Sequence, residues 1–484
     1  MDTESSGLAF FALPPATRRT AFRQQRLRPG KAIGLVTFIL RDGDFAVSSA
    51  RLAAPNGTFL GMSLLMNDSV DVVIVGAGPY GLSIAAHLRG AGVGYRIFGK
   101  PMATWRDHMP AGMFLKSDGF ASNLSDPQKT HTLKRFCEQT GEPYGDTGRP
   151  VRLQTFCAYG LAFQKECVPD LEQKWVTQID LTPEGGFRIT LDDGEEFQAR
   201  KVVLAVGITH FNFIPPPLEG LASHLVSHSS QYGDITLLRG RSATLIGAGA
   251  SACDLAAELA EGGADVTIVA RSGVIYFGHP PSNQKRSLWQ RIRHPSSGIG
   301  ASLRSRIYCD APWLFHMLPQ RLRYRIVRRH LGPAASWTVK DKVEGRMPIW
   351  LNSNIVRAEG QNGEIRLTLQ DASGTAKSHV TDHVVAATGY RVDVNRLQFL
   401  SENLRSRINV VESAPVLSQR FESSVPGLYL TGLASAPSFG PVMRFVFGVE
   451  YTATTLARHL KRSTHLKRSA QSTGLASRAS IDSK

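Results

Sequence analysis

The chain has 484 residues, 42% of them apolar and 20% charged, and carries a formal charge of +16. That is the composition of an ordinary globular protein, and the length suffices for about three domains of roughly 150 residues each. No apolar run reaches the roughly 18 residues a membrane span needs. The five cysteines, Cys137, Cys157, Cys167, Cys253 and Cys309, form no close pair, which excludes a disulfide scaffold, a zinc ribbon and a redox dithiol.

Reduced cysteines fit a cytoplasmic protein, and no metal-ligand spacing is present, so no metal is expected. A strongly basic chain has the electrostatic footprint of a nucleic-acid binder. Here, though, much of the charge is local: fourteen basic residues lie between Lys285 and Arg346 against Asp310, Asp341 and Glu344. This bias reads as a solvated helical face; the alternative is a funnel for an anionic ligand. A small molecule is the expected partner, with neither nucleic acid nor membrane.

In chain order, residues 1–67 hold Arg18, Arg19, Arg23, Arg26 and Arg28 with no periodicity. They are expected to be a dispensable or disordered extension, with Met62 or Met66 as alternative starts to Met1. Val70–Val75 is an apolar strand ended by Gly76, a helix follows over Leu82–Arg89, and a second strand covers Tyr95–Phe98: a βαβ opening. Helices are expected around Thr132–Gln139 and Thr155–Lys165. Gly186–Leu191 and Glu196–Gln198 flank Asp192-Asp193-Gly194, a hairpin signal, and Lys201–Gly207 reads as a buried strand. Pro215-Pro216-Pro217 marks a domain crossing. A second βαβ unit opens at Ala243, the basic segment 285–346 is expected to be helical, and Val384–Ala387 and Leu428–Leu430 are the last strands. A helix from about Phe447 to Leu460 closes the fold, and 461–484 is a basic tail of disordered composition.

Two motifs carry chemistry. Gly76-Ala77-Gly78-Pro79-Tyr80-Gly81 follows a strand and opens a helix. Its glycines make a tight turn, admit a pyrophosphate to the backbone and let helix pack on strand. The helix N-terminus then offers unpaired N–H groups to the phosphates. Gly247-Ala248-Gly249-Ala250-Ser251-Ala252 repeats the pattern with the alanine that the fingerprint permits. Two such units imply two dinucleotides. The second unit has no acid at the end of its second strand; Arg271 stands there, which favours the 2′-phosphate of NADPH over NADH. In the first unit Gly99 and Lys100 occupy the acid position, so the ribose must be held otherwise.

The paired fingerprints, with Ala205-Val206-Gly207 and Ala387-Thr388-Gly389-Tyr390 as crossover strands, resemble the class B flavoprotein monooxygenases over roughly residues 70 to 460. That group includes flavin-containing monooxygenases, Baeyer–Villiger enzymes and, more distantly, N-hydroxylating amine monooxygenases. The resemblance implies an α/β fold with two Rossmann-like dinucleotide-binding domains, the NADPH domain inserted in the FAD domain. FAD would lie on 68–214 and a return at 384–460, with NADPH on 215–383. The implied cofactor-binding residues are Gly76, Gly78, Pro79, Gly81 and Trp105, then Gly247, Gly249, Ser251 and Arg271, with Gly389 and Gly432 completing the set. Trp105, Asn123, Phe439 and Arg444 would lie beside the flavin. Of these, Trp105, Asn123 and Arg444 are the catalytic candidates, though packing or a salt bridge accounts for each equally. The family's linker is half present: His228 and Tyr232 are correctly spaced, but Ala222 and His224 replace its Phe and Gly. His228 is as readily a hydrogen-bonded linker residue as a catalytic one.

Met113-Phe114-Leu115-Lys116-Ser117 and Phe439-Gly440-Pro441-Val442-Met443-Arg444 further resemble the FAD-dependent urate hydroxylases of bacterial purine breakdown. The implied activity is an NADPH-consuming oxygen insertion, on urate or another small substrate, with the cofactor supplying the reactive chemistry. The alternatives are an amine N-hydroxylase, an NADPH-dependent flavin reductase that passes electrons to a protein or quinone, and a non-enzymatic binding protein using its basic face.

Overall fold

A computed structural model describes residues 39–41, 44–46, 69–231, 235–278, 287, 289, 293–330 and 334–464. Residues 1–67 and 68–484 are separate units. In the first, Ile39–Arg41 pairs antiparallel with Asp44–Ala46. The expectations for the rest of 1–67 lie outside the described residues, as does the tail expected beyond 464.

The second unit is built on two parallel sheets. The strands of those two sheets and the helices that position the site, in chain order, are β1 (Val72–Val75), α1 (Pro79–Gly90), β2 (Tyr95–Phe98), β3 (Val202–Leu204), β4 (Val226–His228), β5 (Ser242–Ile246), α2 (Ala250–Glu261), β6 (Asp265–Val269), α3 (Leu303–Asp310), α4 (Pro312–Met317), α5 (Gln320–Arg329), β7 (Ile349–Trp350), β8 (His383–Ala386) and β9 (Leu428–Leu430). β1 is four β-branched residues, all buried, the pattern of a strand covered on both faces. Pro79 starts α1 where its missing N–H costs nothing.

The first sheet runs β9-β3-β1-β2 and the second β4-β8-β5-β6-β7, with every neighbouring pair parallel. Val75 pairs with both Phe98 and Leu204, and Leu204 with Leu430, so the carboxyl ends of the first sheet are level. Each half repeats one plan. A βαβ unit leads to a three-stranded antiparallel sheet (Val176–Leu181, Phe187–Leu191, Glu196–Ala199 in the first; Asn354–Gln361, Glu364–Gln370, Ala376–Thr381 in the second), and a parallel strand then re-enters beside the first strand. The hairpin at Asp192–Gly194 turns through Gly194 at φ +85°.

One expectation is corrected. The strand at 383–386 does not begin a return to the first sheet. β8 lies between β4 and β5 in the second sheet, and all four of its residues are buried. The first sheet is regained only at β9. The physical reason is that β8 is the crossover strand of the second half, equivalent to β3 in the first. The closing helix runs over 449–464, a turn beyond its expected end. The basic segment is helical where described, as α3, α4 and α5 with a short turn at Lys340–Val343.

The two glycines of the first fingerprint that flank α1's start make different demands. A Cβ at Gly81 would stand 1.8 Å from the Gly76 carbonyl oxygen, whereas one at Gly78 would meet nothing within 4 Å. Gly81→Ala should therefore lower unfolding stability by at least about 2 kcal/mol through overpacking. Gly78→Ala should stay within about 0.5 kcal/mol of the parent. Urea midpoints at constant m-value check both.

Candidate functional site

β1 and β5 each end in a glycine that no other residue replaces without displacement. Gly76 has φ +109° and would place a Cβ 2.3 Å from the Ala205 carbonyl oxygen; Gly247 has φ +148° and would place one 2.4 Å from the Ala387 carbonyl oxygen. Each glycine loop is thus pressed against the end of a crossover strand, β3 in one half and β8 in the other. Gly78 (φ −82°, ψ −173°) precedes α1 and Gly249 (φ −100°, ψ −175°) precedes α2, and neither helix start carries a side-chain cap. Their first-turn N–H groups are left to a ligand, with the helix dipole favouring an anion.

A cavity of about 530 Å³ opens at the carboxyl ends of the first sheet, where open parallel sheets bind ligands. Gly76, Gly78, Pro79 and Tyr80 line it from the first loop, and Ala250, Ser251 and Asp254 line it from the start of α2. Trp105, Lys116, Gly432 and Arg444 also line it. The two fingerprints therefore meet at one space.

Trp105 packs edge-on against Phe156, with ring centroids 4.8 Å apart. Tyr80, the variable residue of the first fingerprint, donates its hydroxyl to the carbonyls of Met443 (3.1 Å) and Phe445 (2.9 Å). It thereby ties the start of α1 to the segment that carries Arg444. The Arg444 guanidinium reaches the carbonyls of Val327 and His330, both at 3.4 Å, at the end of α5. Its side chain opens onto the cavity, and the surrounding protein mass holds it below the usual arginine range by desolvation. Phe439 is fully buried, stacked on Phe421 at 3.9 Å, and does not line the cavity.

Asn123 is a correction. Its Nδ2 donates to Phe120 O (2.9 Å), and its Oδ1 accepts from Leu133 N (2.8 Å). It ties a loop to a helix start and lies outside the cavity lining. His228 is likewise a linker. Its Nδ1 accepts from Ser230 N (3.2 Å), so its Nε2 donates to Gly389 O (3.0 Å); burial lowers its pKa. Tyr232 lies outside the described residues. Gly247, Gly249, Arg271 and Gly389 do not line the cavity. Arg271 is exposed just beyond β6. Arg391, whose guanidinium lies 3.4 Å from the Phe213 ring centroid, is held below its ordinary range by desolvation and by repulsion from Arg271 and Arg328. A small cationic group therefore stands beside β6.

Among the cavity residues that the sequence did not mark as site residues, two carry a perturbed charge. Lys116 donates to the Ala334 carbonyl, and burial lowers its pKa against the opposing pull of Asp254. Asp254 is only 9% exposed, and its Oδ1 has no hydrogen-bond partner. Burial pushes its carboxyl up to about 6, with Lys116 opposing and Glu258 adding to the rise. The signal for Asp254 was present: it follows Ser251 by three residues on a helix, hence on the same face.

The family model for pyridine nucleotide-disulphide oxidoreductases matches residues 73–294, under half of the chain. An indole-3-pyruvate monooxygenase, YUCCA1 of Oryza sativa subsp. japonica, is 29% identical over 212 residues, 42% of this chain and 48% of that protein. The chain thus spans about half the length of that curated relative. A probable indole-3-pyruvate monooxygenase, YUCCA9 of Arabidopsis thaliana, is 24% identical over 366 residues, 68% of this chain and 78% of that one. Among solved structures, the ornithine N-hydroxylase KtzI of Kutzneria sp. 744 superposes with a TM-score of 0.64 at 17% identity, over 82% of this chain and 100% of that chain. The cadaverine monooxygenase DfoA of Erwinia amylovora gives 0.62 at 18%, over 81% and 95%. At such identities the likeness is one of fold. It is the fold that the motif resemblance implied, an α/β chain with two Rossmann-like units.

The carboxyl of Asp254 titrates higher in the fold than its ordinary 3.8. A raised carboxyl favours the folded state in its neutral form. Its stability contribution is therefore fully present below about pH 4 and lost as pH rises towards 6, by about 3 kcal/mol for a shift of this size. Asp254→Asn should be more stable than the parent at pH 7 and lose that advantage at pH 4, as urea unfolding at the two pH values will show.

Proposed function

We propose that the chain is an FAD-dependent monooxygenase that consumes NADPH and O2 and places one oxygen atom in a small substrate, urate being the leading candidate. One observation carries this reading: a single cavity is lined by the uncapped starts of both α1 and α2. Two dinucleotides bound there would bring their reactive rings to one place. The residues fit such a pair. Gly78 leaves open space where a pyrophosphate must approach the backbone, while Gly76 and Pro79 shape the turn and Gly81 seats α1 on the sheet. Trp105 and Gly432 flank the same space. Gly247, Gly249 and Ser251 form the equivalent cradle before α2, with Gly389 held by His228. Arg271, with Arg391 beside it, is the candidate for a 2′-phosphate.

A bound flavin would supply the hydride acceptance and oxygen activation. The chain's own part is to orient and enclose. Met109, Met113, Leu433 and Val446 line the cavity and keep it apolar, which restricts water. Lys116 and Arg444 give one wall positive charge, suited to an anion such as urate or a 2-oxo acid. The monooxygenases among the relatives and solved structures support the class. The five cysteines are free, and none lines the cavity; burial raises the thiol of Cys253, the nearest in sequence to Asp254, to about 12. A dithiol reductase cycle has no support in this geometry. The second reading, an amine hydroxylase, is favoured by Asp254, whose unpartnered oxygen accepts a hydrogen bond from an ammonium once ionised.

NADPH consumption in air by the FAD-loaded protein, with peroxide followed alongside, tests the reading. Urate should accelerate consumption several-fold with little peroxide. Peroxide matching NADPH with urate, and likewise with ornithine and cadaverine, would overturn the oxygen-transfer assignment. Arg271→Ala should raise KM for NADPH about tenfold, the worth of one charge-assisted hydrogen bond, and leave KM for NADH unchanged in steady-state kinetics.

A further inference from the structure

The helices α3, α4 and α5 have two faces with different tasks. The inner face serves the cavity wall. Phe315 packs against Gly440, Arg323 Nη1 donates to the Ser438 carbonyl at 3.2 Å, and the end of α5 receives Arg444. The outer face is different in kind. Of the fifteen exposed large hydrophobic side chains among the described residues, eight lie between Trp289 and Trp337. Leu303 and Ile307 are one turn apart on α3, as are Trp313 and Met317 on α4, and Trp313 and Met317 are 52% and 67% exposed. Scattered exposed apolar residues need no explanation, but a cluster of this kind does.

The same stretch is strongly cationic. Residues 303–329 hold seven arginines against the lone acid Asp310. Arg306 pairs with Asp310 and Arg328 with Glu412. Arg304, Arg321, Arg325 and Arg329 are exposed and make no ion pair among the described residues. Arg321 and Arg325 stand one turn apart on the outer side of α5, opposite the buried Arg323 and Tyr324.

We infer that the outer face of α3–α5 is a docking surface for an anionic lipid bilayer, lying on its plane without crossing it. Apolar and aromatic side chains interleaved with arginine are what an interfacial helix presents: the first enter the headgroup boundary, the second meet anionic headgroups. The charge argues against a second copy of the chain, since two such faces would repel. Leu303, Ile307, Leu314 and Met317 argue against nucleic acid, because aliphatic side chains give bases no stacking surface. No helix among the described residues is long and apolar enough to cross a membrane, so the contact is peripheral. The consequence is positional: α5, whose end holds Arg444, would face the bilayer, placing the cavity wall next to it.

The full chain, loaded with FAD, is to be floated with vesicles of phosphatidylcholine alone and of phosphatidylcholine with phosphatidylglycerol at three to one. The protein should float with the anionic vesicles and not with the neutral ones, and added salt should release it. Trp313→Ser with Met317→Ser, and separately Arg321→Glu with Arg325→Glu, should each lower the partition coefficient at least tenfold. NADPH oxidation and flavin content should stay at parent levels, since none of the four lines the cavity. Equal recovery with both vesicle types, or anionic binding that neither pair of substitutions reduces, overturns the proposal. So does a face engaged elsewhere: a dimer that the Trp313/Met317 pair dissolves in sedimentation, or duplex DNA retained with an affinity that the vesicles cannot match. The salt dependence of the parent protein tests the idea even if a variant fails to fold.

Discussion

Two carbonyl oxygens organise this molecule. The ends of β3 and β8 present Ala205 O and Ala387 O to Gly76 and Gly247 at distances that exclude a Cβ of any residue. Because these strands lie beside β1 and β5 in register, each contact sets where its glycine loop turns and thus where α1 and α2 begin. An alanine at either glycine would have to push a crossover strand out of its sheet. With both helix starts placed in this way, one cavity at the carboxyl edge of the first sheet is lined by both. The contacts are backbone to backbone, so they are indifferent to side chains elsewhere and recur in both halves despite different sequences.

One of the cavity's charges is held at a cost. Lys116 and Arg444 rest on main-chain carbonyls, and Asp254 has an oxygen with no partner. A carboxyl buried this way disfavours its own ionisation, and a sequence under selection for stability alone would replace it. Groups that weaken the fold in a cleft, with a perturbed pKa, mark a site where ligand contacts are made. Asp254, Lys116 and Arg444 come from α2, the segment after β2 and the turn beyond β9, so the polar wall depends on both halves of the chain.

The helices α3 to α5 connect the interior with the exterior. Their inner side fixes the segment from Ser438 to Arg444, while their outer side gathers exposed apolar residues and arginines that make no ion pair among the described residues. A solvated helical face accounts for the arginines but not for Trp313 and Met317 among them.

Both fingerprints, the helices that follow them, the hairpin at Asp192–Gly194 and strand β9 were legible from local pattern, because a four-residue apolar run or a glycine of positive φ carries its meaning within a few residues; the helix starts lie three residues earlier than that pattern placed them. That Ala205–Gly207 and Ala387–Gly389 are crossover strands came from the family resemblance; their pressing on the glycine loops came only from the fold. What sequence could not assign was partnership across distance. Val384–Ala387 has the same buried pattern whether it sits in one sheet or the other; only hydrogen bonding to β4 and β5 decides it. Asn123 offers an amide that suits a flavin or a helix start equally, and a local loop, with Phe120 three and Leu133 ten residues away, takes both of its polar atoms. Asp254 reads as an ordinary helical acid until the packing removes water from it. Local geometry is written in neighbouring residues, whereas the sheet that β8 joins and the burial of Asp254 depend on residues more than a hundred positions away, and only the folded chain brings those together.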